Sequence, residues 1–222
     1  MPIDSSAQNL ATHLKRLKRL RGPGSDPPAR LADVKRWQAK RLARTYADLA
    51  RERRYRDATA FFLHEVYGEK DFSARDQEML RIVPVMARIL PASAVQTATI
   101  AIELEALTEE LDQRTAAHLP PGEIDEASYA KACRAASPRR ERDRQVALVR
   151  AVGERLDALV RKPIVGRTLK LMGGPARLAA LSGLQDFLEG GYAALRAMEG
   201  AGEFLATFER REGELLDRIY GP

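Results

Sequence analysis

Residues 61–67 constrain the fold of this chain more than any other segment, because they predict a helix that is apolar on nearly every side. At about 100° per residue, the large side chains of FFLHEVY cover almost the whole circumference. A helix of this kind is normally buried among other helices. Gly68 follows where a helix often ends, and Ser73 and Asp76 have the S-x-x-D spacing of a capping box. The segment therefore predicts a buried helix, a tight turn and a second, capped helix.

Two polar residues, His64 and Glu65, interrupt the apolar surface of this helix. A buried carboxylate is costly unless it is paired or protonated, so Glu65 needs a partner. We favour a structural ion pair with a nearby arginine; the alternative is a carboxylate of perturbed pKa that lines a ligand pocket. A second carboxylate, Glu212, falls inside an apolar stripe near the C-terminus. The candidates for a ligand site or a structural ion pair are His64, Glu65, Arg75, Asp76, Arg81 and Glu212.

The composition favours helices throughout. Hydrophobic residues make up 45% of the chain and charged residues 31%, and strong helix formers such as Ala, Leu, Arg and Glu dominate. We expect an all-α, single-domain bundle of about seven or eight helices. Residues 28–53 predict one long helix, Pro84 predicts a kinked helix, and residues 184–220 predict a long C-terminal helix. Shorter pieces are expected on either side of a turn at Gly173 and Gly174.

Residues 92–117 have the clearest helical pattern, with an apolar stripe that includes Ile100, Leu104, Leu107 and Leu111. The acidic residues of this helix fall beside or opposite the stripe. We expect them to be solvated: Glu105, Glu109, Glu110 and Asp112.

Positive charge is concentrated at the N-terminus. Residues 1–60 hold 15 Lys/Arg and 6 Asp/Glu, a net +9, whereas residues 61–222 hold 22 and 25, a net −3. This asymmetry indicates an acidic partner, an anionic surface, or an arm that lies on the acidic remainder of the chain. We expect residues 1–27 to form a basic amphipathic arm with a Gly/Pro linker and residues 28–222 to form the bundle. The basic residues of the arm are Lys15, Arg16, Lys18, Arg19 and Arg21.

Sequence motifs for catalysis are missing. A di-iron site in a bundle needs Glu-x-x-His, and His13, His64 and His118 lack a glutamate three residues earlier. The single cysteine, Cys133, predicts neither a zinc site nor a disulfide and suits the cytoplasm. Phosphate-loop, dinucleotide-binding and nucleophile-elbow motifs are also lacking. We therefore expect no cofactor and no metal.

Several short motifs resemble an uncharacterised family of all-helical proteins from proteobacteria. They are Arg54-Tyr55, Phe61-Phe62-Leu63, Tyr67-Gly68, Asp71-Phe72, Arg75-Asp76 and Pro84, with Gln185-Asp186-Phe187-Leu188 and Arg211-Glu212 further on. The resemblance implies an all-helical fold. It carries over no functional residue.

Three functional interpretations remain open at this point. We favour a non-enzymatic interaction or scaffold protein that meets a protein partner or a second copy of itself as a homodimer. The first alternative is an interhelical pocket for a small molecule or cofactor, built from buried carboxylates. The second is a binder of nucleic acid or anionic membrane that acts through its basic N-terminal region.

Overall fold

The computed structural model describes residues 5–22, 24–66, 92–178 and 182–221, and within these ranges all regular secondary structure is helical. The predicted all-α fold class is confirmed. The described residues form ten α-helices: α1 (Ser5–Arg21), α2 (Leu31–Thr45), α3 (Ala47–Arg51), α4 (Arg56–Phe61), α5 (Ala92–Ala117), α6 (Glu126–Ala136), α7 (Arg139–Val160), α8 (Pro163–Leu178), α9 (Ser182–Ala197) and α10 (Gly202–Tyr220). A π-helical turn, Phe62–Val66, continues α4.

The helices are organised into two compact units. Unit 1 comprises Met1–Gln38, Leu90–Val152 and Leu205–Pro222, and unit 2 comprises Ala39–Ile89 and Gly153–Phe204. Three helices, α2, α7 and α10, contribute residues to both units.

Unit 1 is built around α5. The leucine stripe of α1 packs toward α5, and Leu10, Leu14 and Leu17 are buried. Leu107 and Leu111 of α5 pack with Leu148 of α7. A second core cluster joins α2, α5, α6 and α10 through Val34, Ala116, Leu119, Tyr129, Ala132, Cys133 and Ile219.

Unit 2 places α4 against α9. The Phe61 ring lies 5.2 Å from the ring of Phe187, centroid to centroid. A Cβ added at Gly191 would lie 2.9 Å from Phe61 Cζ, so the absence of a side chain permits this close approach. The prediction that residues 61–67 are buried on every side is wrong where the structure describes them. Phe61, Phe62 and Leu63 are half-buried and His64 is exposed. The last three belong to the π-helical turn, which spaces side chains differently from an α-helix.

Helix ends differ from the predictions in three places. A continuous helix over residues 28–53 was expected, but Tyr46 (φ −110°, ψ 18°) separates α2 from α3. The expected helix over residues 184–220 is divided by Glu199 and Gly200, whose φ values are 54° and 128°. This left-handed backbone commonly ends helices, and α10 remains a long C-terminal helix. The turn expected at Gly173 and Gly174 is not formed, because α8 runs through both.

The predicted kink at Pro84 and the predicted cap formed by Ser73 and Asp76 lie outside the described residues. Among the helices that are described, none combines the length and the apolar character needed to cross a bilayer.

Candidate functional site

Two of the sequence-predicted site residues, His64 and Glu212, have side chains that the structure describes. His64 is an exposed residue of unit 2, whereas Glu212 is a buried residue of α10 in unit 1. Glu65 belongs to the π-helical turn, but its side chain lies outside the described part of the chain. Three further candidates also lie outside it: Arg75, Asp76 and Arg81.

Two basic residues of α1 form ion pairs with α5. Arg16 Nε donates to Glu110 Oε2 at 2.8 Å. Arg21 Nε donates to Glu109 Oε2 at 2.6 Å, and Arg21 Nη2 lies 3.0 Å from Glu105 Oε2. These contacts match the third interpretation of the N-terminal charge, an arm that lies on acidic residues of the same chain. The leucines of α1 are buried as well, so this helix packs within unit 1.

The remaining basic residues of α1 face outward. They are exposed and form no ion pair within the part of the chain that the structure describes: Lys15, Lys18 and Arg19. The helix therefore divides its positive charge between an inner, neutralised group and an outer, solvated group.

A buried polar network occupies one side of α5. We name it the α5 polar cluster and define it by seven residues: Gln38, Glu109, Asp112, Thr115, Tyr129, Cys133 and Arg142. Glu109 and Asp112 are three residues apart, and Thr115 follows three residues later, so all three lie on one face of the helix. The prediction that Glu109 and Asp112 are solvated is wrong, since their exposed fractions are 1% and 2%. Both carboxylates face other helices instead of water.

Glu109 is held by two cations from neighbouring helices. Its Oε2 accepts from Arg21 Nε of α1 at 2.6 Å and from Lys35 Nζ of α2 at 2.9 Å. Burial by itself would raise the pKa of Glu109, but the charges and hydrogen bonds of Arg21 and Lys35 outweigh it and hold the pKa below its usual range. Glu109 therefore stays ionised and fixes α1 and α2 to α5.

The burial of the Asp112 carboxylate is less fully compensated than that of Glu109. Gln38 Nε2 donates to Asp112 Oδ1 at 2.8 Å and to Tyr129 Oη at 3.0 Å. Among the described residues, the cation nearest to Asp112 is Arg142, with 4.0 Å between Arg142 Nη1 and Asp112 Oδ1. Burial raises the pKa of Asp112, and Arg142 and Gln38 offset only part of that effect.

Arg142 connects α7 to the cluster. Its Nη2 donates to Thr115 Oγ1 at 2.8 Å and to the Leu111 carbonyl at 3.4 Å, and its Nη1 donates to Gln145 Oε1 at 3.2 Å. Burial by itself would lower the pKa of Arg142, but Tyr129, Cys133, Asp112 and Tyr220 raise it overall, so the guanidinium remains charged. Within the described residues, its Nε has no hydrogen-bond partner.

Cys133 lies beside this guanidinium, with its Sγ 3.7 Å from Arg142 Nη2 and 4.0 Å from Thr115 Oγ1. A reactive thiol has to be accessible, and only 2% of Cys133 is exposed. The Cys133 carbonyl accepts from Tyr220 Oη at 3.1 Å, which ties α6 to α10. Cys133 is therefore a packing residue of the cluster.

The α5 polar cluster is a structural charge network. Its charges are matched by opposite charges or hydrogen bonds from α1, α2 and α7, and its groups are withdrawn from solvent. Among the described residues, no three His, Cys, Asp or Glu side chains come together in an arrangement that could hold a metal ion. A signal for the cluster existed in the sequence: α1 carries five basic and no acidic residues, and α5 carries five acidic residues and one basic.

The motif Arg54-Tyr55 is also structural, in unit 2. Arg54 Nε donates to the Met198 carbonyl at 3.0 Å, and Arg54 Nη1 lies 2.7 Å from Glu203 Oε2. Tyr55 Oη donates to the same carboxylate at 2.5 Å, and this hydrogen bond raises the pKa of Tyr55 and lowers the pKa of Glu203. Both residues therefore hold the left-handed turn at Gly200 between α9 and α10.

The expectation that the chain belongs to an uncharacterised family is confirmed by a match to a family model. The chain belongs to the family described as Domain of unknown function (DUF8198). The family model matches residues 21–222, from the last residue of α1 to the C-terminus. No curated protein and no solved structure matches the chain.

Proposed function

We propose that this DUF8198 protein is a non-enzymatic interaction protein of the cytoplasm, and that the outward face of α1 binds an acidic segment of a protein partner. The division of the basic residues of α1 is the main support. Arg16 and Arg21 are neutralised inside unit 1, whereas Lys15 and Arg19 are exposed and have no ion pair in the described part of the chain. The buried, unpaired thiol of Cys133 is consistent with a reducing compartment.

The spacing of the exposed cations favours a protein partner. Lys15 and Arg19 are four residues apart, so their side chains lie one above the other on α1. Two carboxylates one turn apart on a partner helix match this spacing. A strongly salt-dependent nucleic-acid site that makes about 6–10 phosphate contacts needs more cations than this short face offers.

Charge reversal on α1 tests the proposal. The variant Lys15→Glu/Arg19→Glu keeps the buried leucines and the inner arginines, so unit 1 should stay folded. The matched control is Lys40→Glu/Arg44→Glu on α2, an exposed basic pair with the same spacing. Proteins captured by each variant from its native cells are quantified by mass spectrometry at low and high salt.

We expect a specific partner whose recovery falls about tenfold or more with the α1 variant and at high salt, but not with the α2 control. The proposal is wrong if the α1 variant and the wild-type protein recover the same partners in equal amounts.

An interior ligand site is the second candidate, and one observation favours it: the Nε of Arg142 is buried and has no hydrogen-bond partner among the described residues. An anionic small molecule beside α7 would use that donor. The site would differ from the predicted one, since neither His64 nor Glu212 belongs to the α5 polar cluster. A native mass spectrum with a stoichiometric small-molecule mass would support this candidate, provided that Arg142→Met removes the extra mass.

A further inference from the structure

Exposed apolar side chains are concentrated in one part of unit 2. Among the described residues, the large hydrophobic side chains that are exposed are Ile164 and Leu171 of α8 and Leu188 of α9, with exposed fractions of 59%, 78% and 41%. Scattered single residues of this kind are common on protein surfaces. Ile164 and Leu171 differ because they are seven residues apart, two turns along the same face of one helix.

The opposite side of α8 packs against α9. Gln185 Nε2 of α9 donates to the Leu169 carbonyl of α8 at 2.8 Å. A Cβ added at Gly166 would lie 2.7 Å from Tyr192 Cζ, so the two helices are in close contact there. At 100° per residue, Ile164 and Leu171 point away from Gly166 and Leu169. Contact with α9 therefore leaves the face that carries Ile164 and Leu171 open.

Positive charge accompanies these apolar residues. Residues 158–185 contain five basic residues and no acidic residue, although the chain as a whole carries 31 acidic residues. Arg167 and Lys170 lie between Ile164 and Leu171 in sequence and are exposed. Neither forms an ion pair within the described part of the chain. The outward face of α8, defined by Ile164, Arg167, Lys170 and Leu171, is therefore both apolar and basic.

We propose that the outward face of α8 binds the surface of an anionic lipid bilayer. A helix that combines an apolar line with basic residues lies in the plane of such a surface, with its apolar side chains among the acyl chains. Ile164 and Leu171 are separated by about 10 Å along the helix axis, so both can enter the bilayer together. Arg167 and Lys170 have long stems and can extend to the phosphate groups of the lipids.

Other occupants fit this face less well. Nucleic acid would neutralise Arg167 and Lys170 but would leave Ile164 and Leu171 in water. A second copy of the chain would bury the apolar residues. However, a two-fold contact places the same surface patch on both subunits, which brings two basic faces together. An anionic bilayer satisfies both the charge and the apolar surface.

Vesicle co-sedimentation tests this inference with the full-length protein. The vesicles are phosphatidylcholine alone or phosphatidylcholine with about 30% phosphatidylserine, which supplies the negative surface potential. We expect the wild-type protein to bind only the anionic vesicles and to be released by salt. Each basic residue near such a surface contributes about 1 kcal/mol, so Arg167→Glu/Lys170→Glu, which also adds two negative charges, should weaken binding at least about thirtyfold.

Apolar insertion predicts a separate effect. Leu171→Ser removes one of the two apolar side chains that would enter the bilayer and should weaken binding about tenfold without changing charge. Ile164→Ser is a second variant of the same kind. The matched control is Lys15→Glu/Arg19→Glu, an exposed basic pair on α1, which should leave vesicle binding unchanged. Far-ultraviolet circular dichroism checks that every variant remains folded.

Three results would overturn the inference. The wild-type protein could fail to bind anionic vesicles, or the α1 control could weaken binding as much as the α8 variants. Alternatively, Leu171→Ser could convert a dimer to a monomer without affecting vesicles, which would make the face a contact between copies. The α1 capture experiment addresses a different surface, so failure of this inference and failure of the proposed function are separable.

Discussion

Replacing Arg142 with methionine tests whether the α5 polar cluster is a set of mutually compensating charges. The change removes the cation 4.0 Å from Asp112 and the donor to Thr115 Oγ1, while much of the side-chain volume remains. Removing one partner of a buried ion pair costs about 3–5 kcal/mol, because the other charge stays in the interior. For a chain of this length, each kcal/mol lowers Tm by about 2–4 °C, so we expect a fall of about 6–20 °C.

The free energy of unfolding is measured by urea denaturation that is monitored by circular dichroism. A double-mutant cycle is the control. Asp112→Asn removes the carboxylate but keeps an oxygen that can accept from Gln38. Alone, it should cost less than Arg142→Met, because Arg142 retains its neutral acceptors. Combined with Arg142→Met, it should restore part of the lost free energy of unfolding, with a coupling of about 0.5–3 kcal/mol.

The pH dependence of the destabilisation by Arg142→Met distinguishes the loss of a charge from the loss of packing. Burial already raises the pKa of Asp112, and loss of Arg142 removes a group that lowers it. The destabilisation by Arg142→Met should therefore be complete above the folded pKa of Asp112. It should shrink as the pH falls toward about 4, because Asp112 of the folded variant takes up a proton and no longer buries an unpaired charge. Two results would contradict the ion-pair interpretation. One is equal destabilisation by Arg142→Met above the folded pKa of Asp112 and near pH 4, and the other is no rescue by Asp112→Asn.

Two further substitutions test one contact in unit 1 and one contact in unit 2. Glu109→Gln should destabilise the protein by about 2–3 kcal/mol at pH 7, because it removes charge-assisted hydrogen bonds from two cations. Since the folded pKa of Glu109 is lowered, that stability is present above about pH 4.3 and is lost as the pH falls through the folded pKa, so an unchanged loss in acid would contradict the ion-pair account. Gly191→Ala should cost about 1–3 kcal/mol because its Cβ would lie 2.9 Å from Phe61 Cζ. Gly190→Ala is the matched control, since its Cβ would lie 3.7 Å from the same ring, and it should be neutral or stabilising by up to about 1 kcal/mol. Thermal melts decide this comparison, and equal effects of the two alanines would refute the packing argument.

The fold was predictable where local signals are strong. Residues 92–117 were expected to form a helix and do so as α5. Asp125 caps α6 by accepting from the Ser128 backbone N–H at 2.8 Å, and Pro163 follows the end of α7. Each of these signals depends on neighbouring residues in the sequence. The break at Tyr46 has no such signal, since neither glycine nor proline marks it.

The polar cluster was not predictable from α5 alone. Residues on the polar side of an amphipathic helix, such as Glu109 and Asp112, are normally exposed to solvent. Here α1 and α2 cover that side: Arg21 and Lys35 replace water as the partners of Glu109, and Gln38 donates to Asp112. Whether a second layer covers a polar face depends on contacts between distant segments, such as Lys35 with Glu109. Only the opposite charges of α1 and α5 pointed to this pairing.

We propose that the buried charges maintain the structure while binding occurs at the surface. A native mass spectrum of the protein, recovered gently from its own cells, distinguishes surface binding from an interior ligand. We predict the 24.7 kDa chain together with the mass of a protein partner, which is lost at high salt and in Lys15→Glu/Arg19→Glu. A stoichiometric small-molecule mass that persists at high salt and disappears in Arg142→Met would contradict the account.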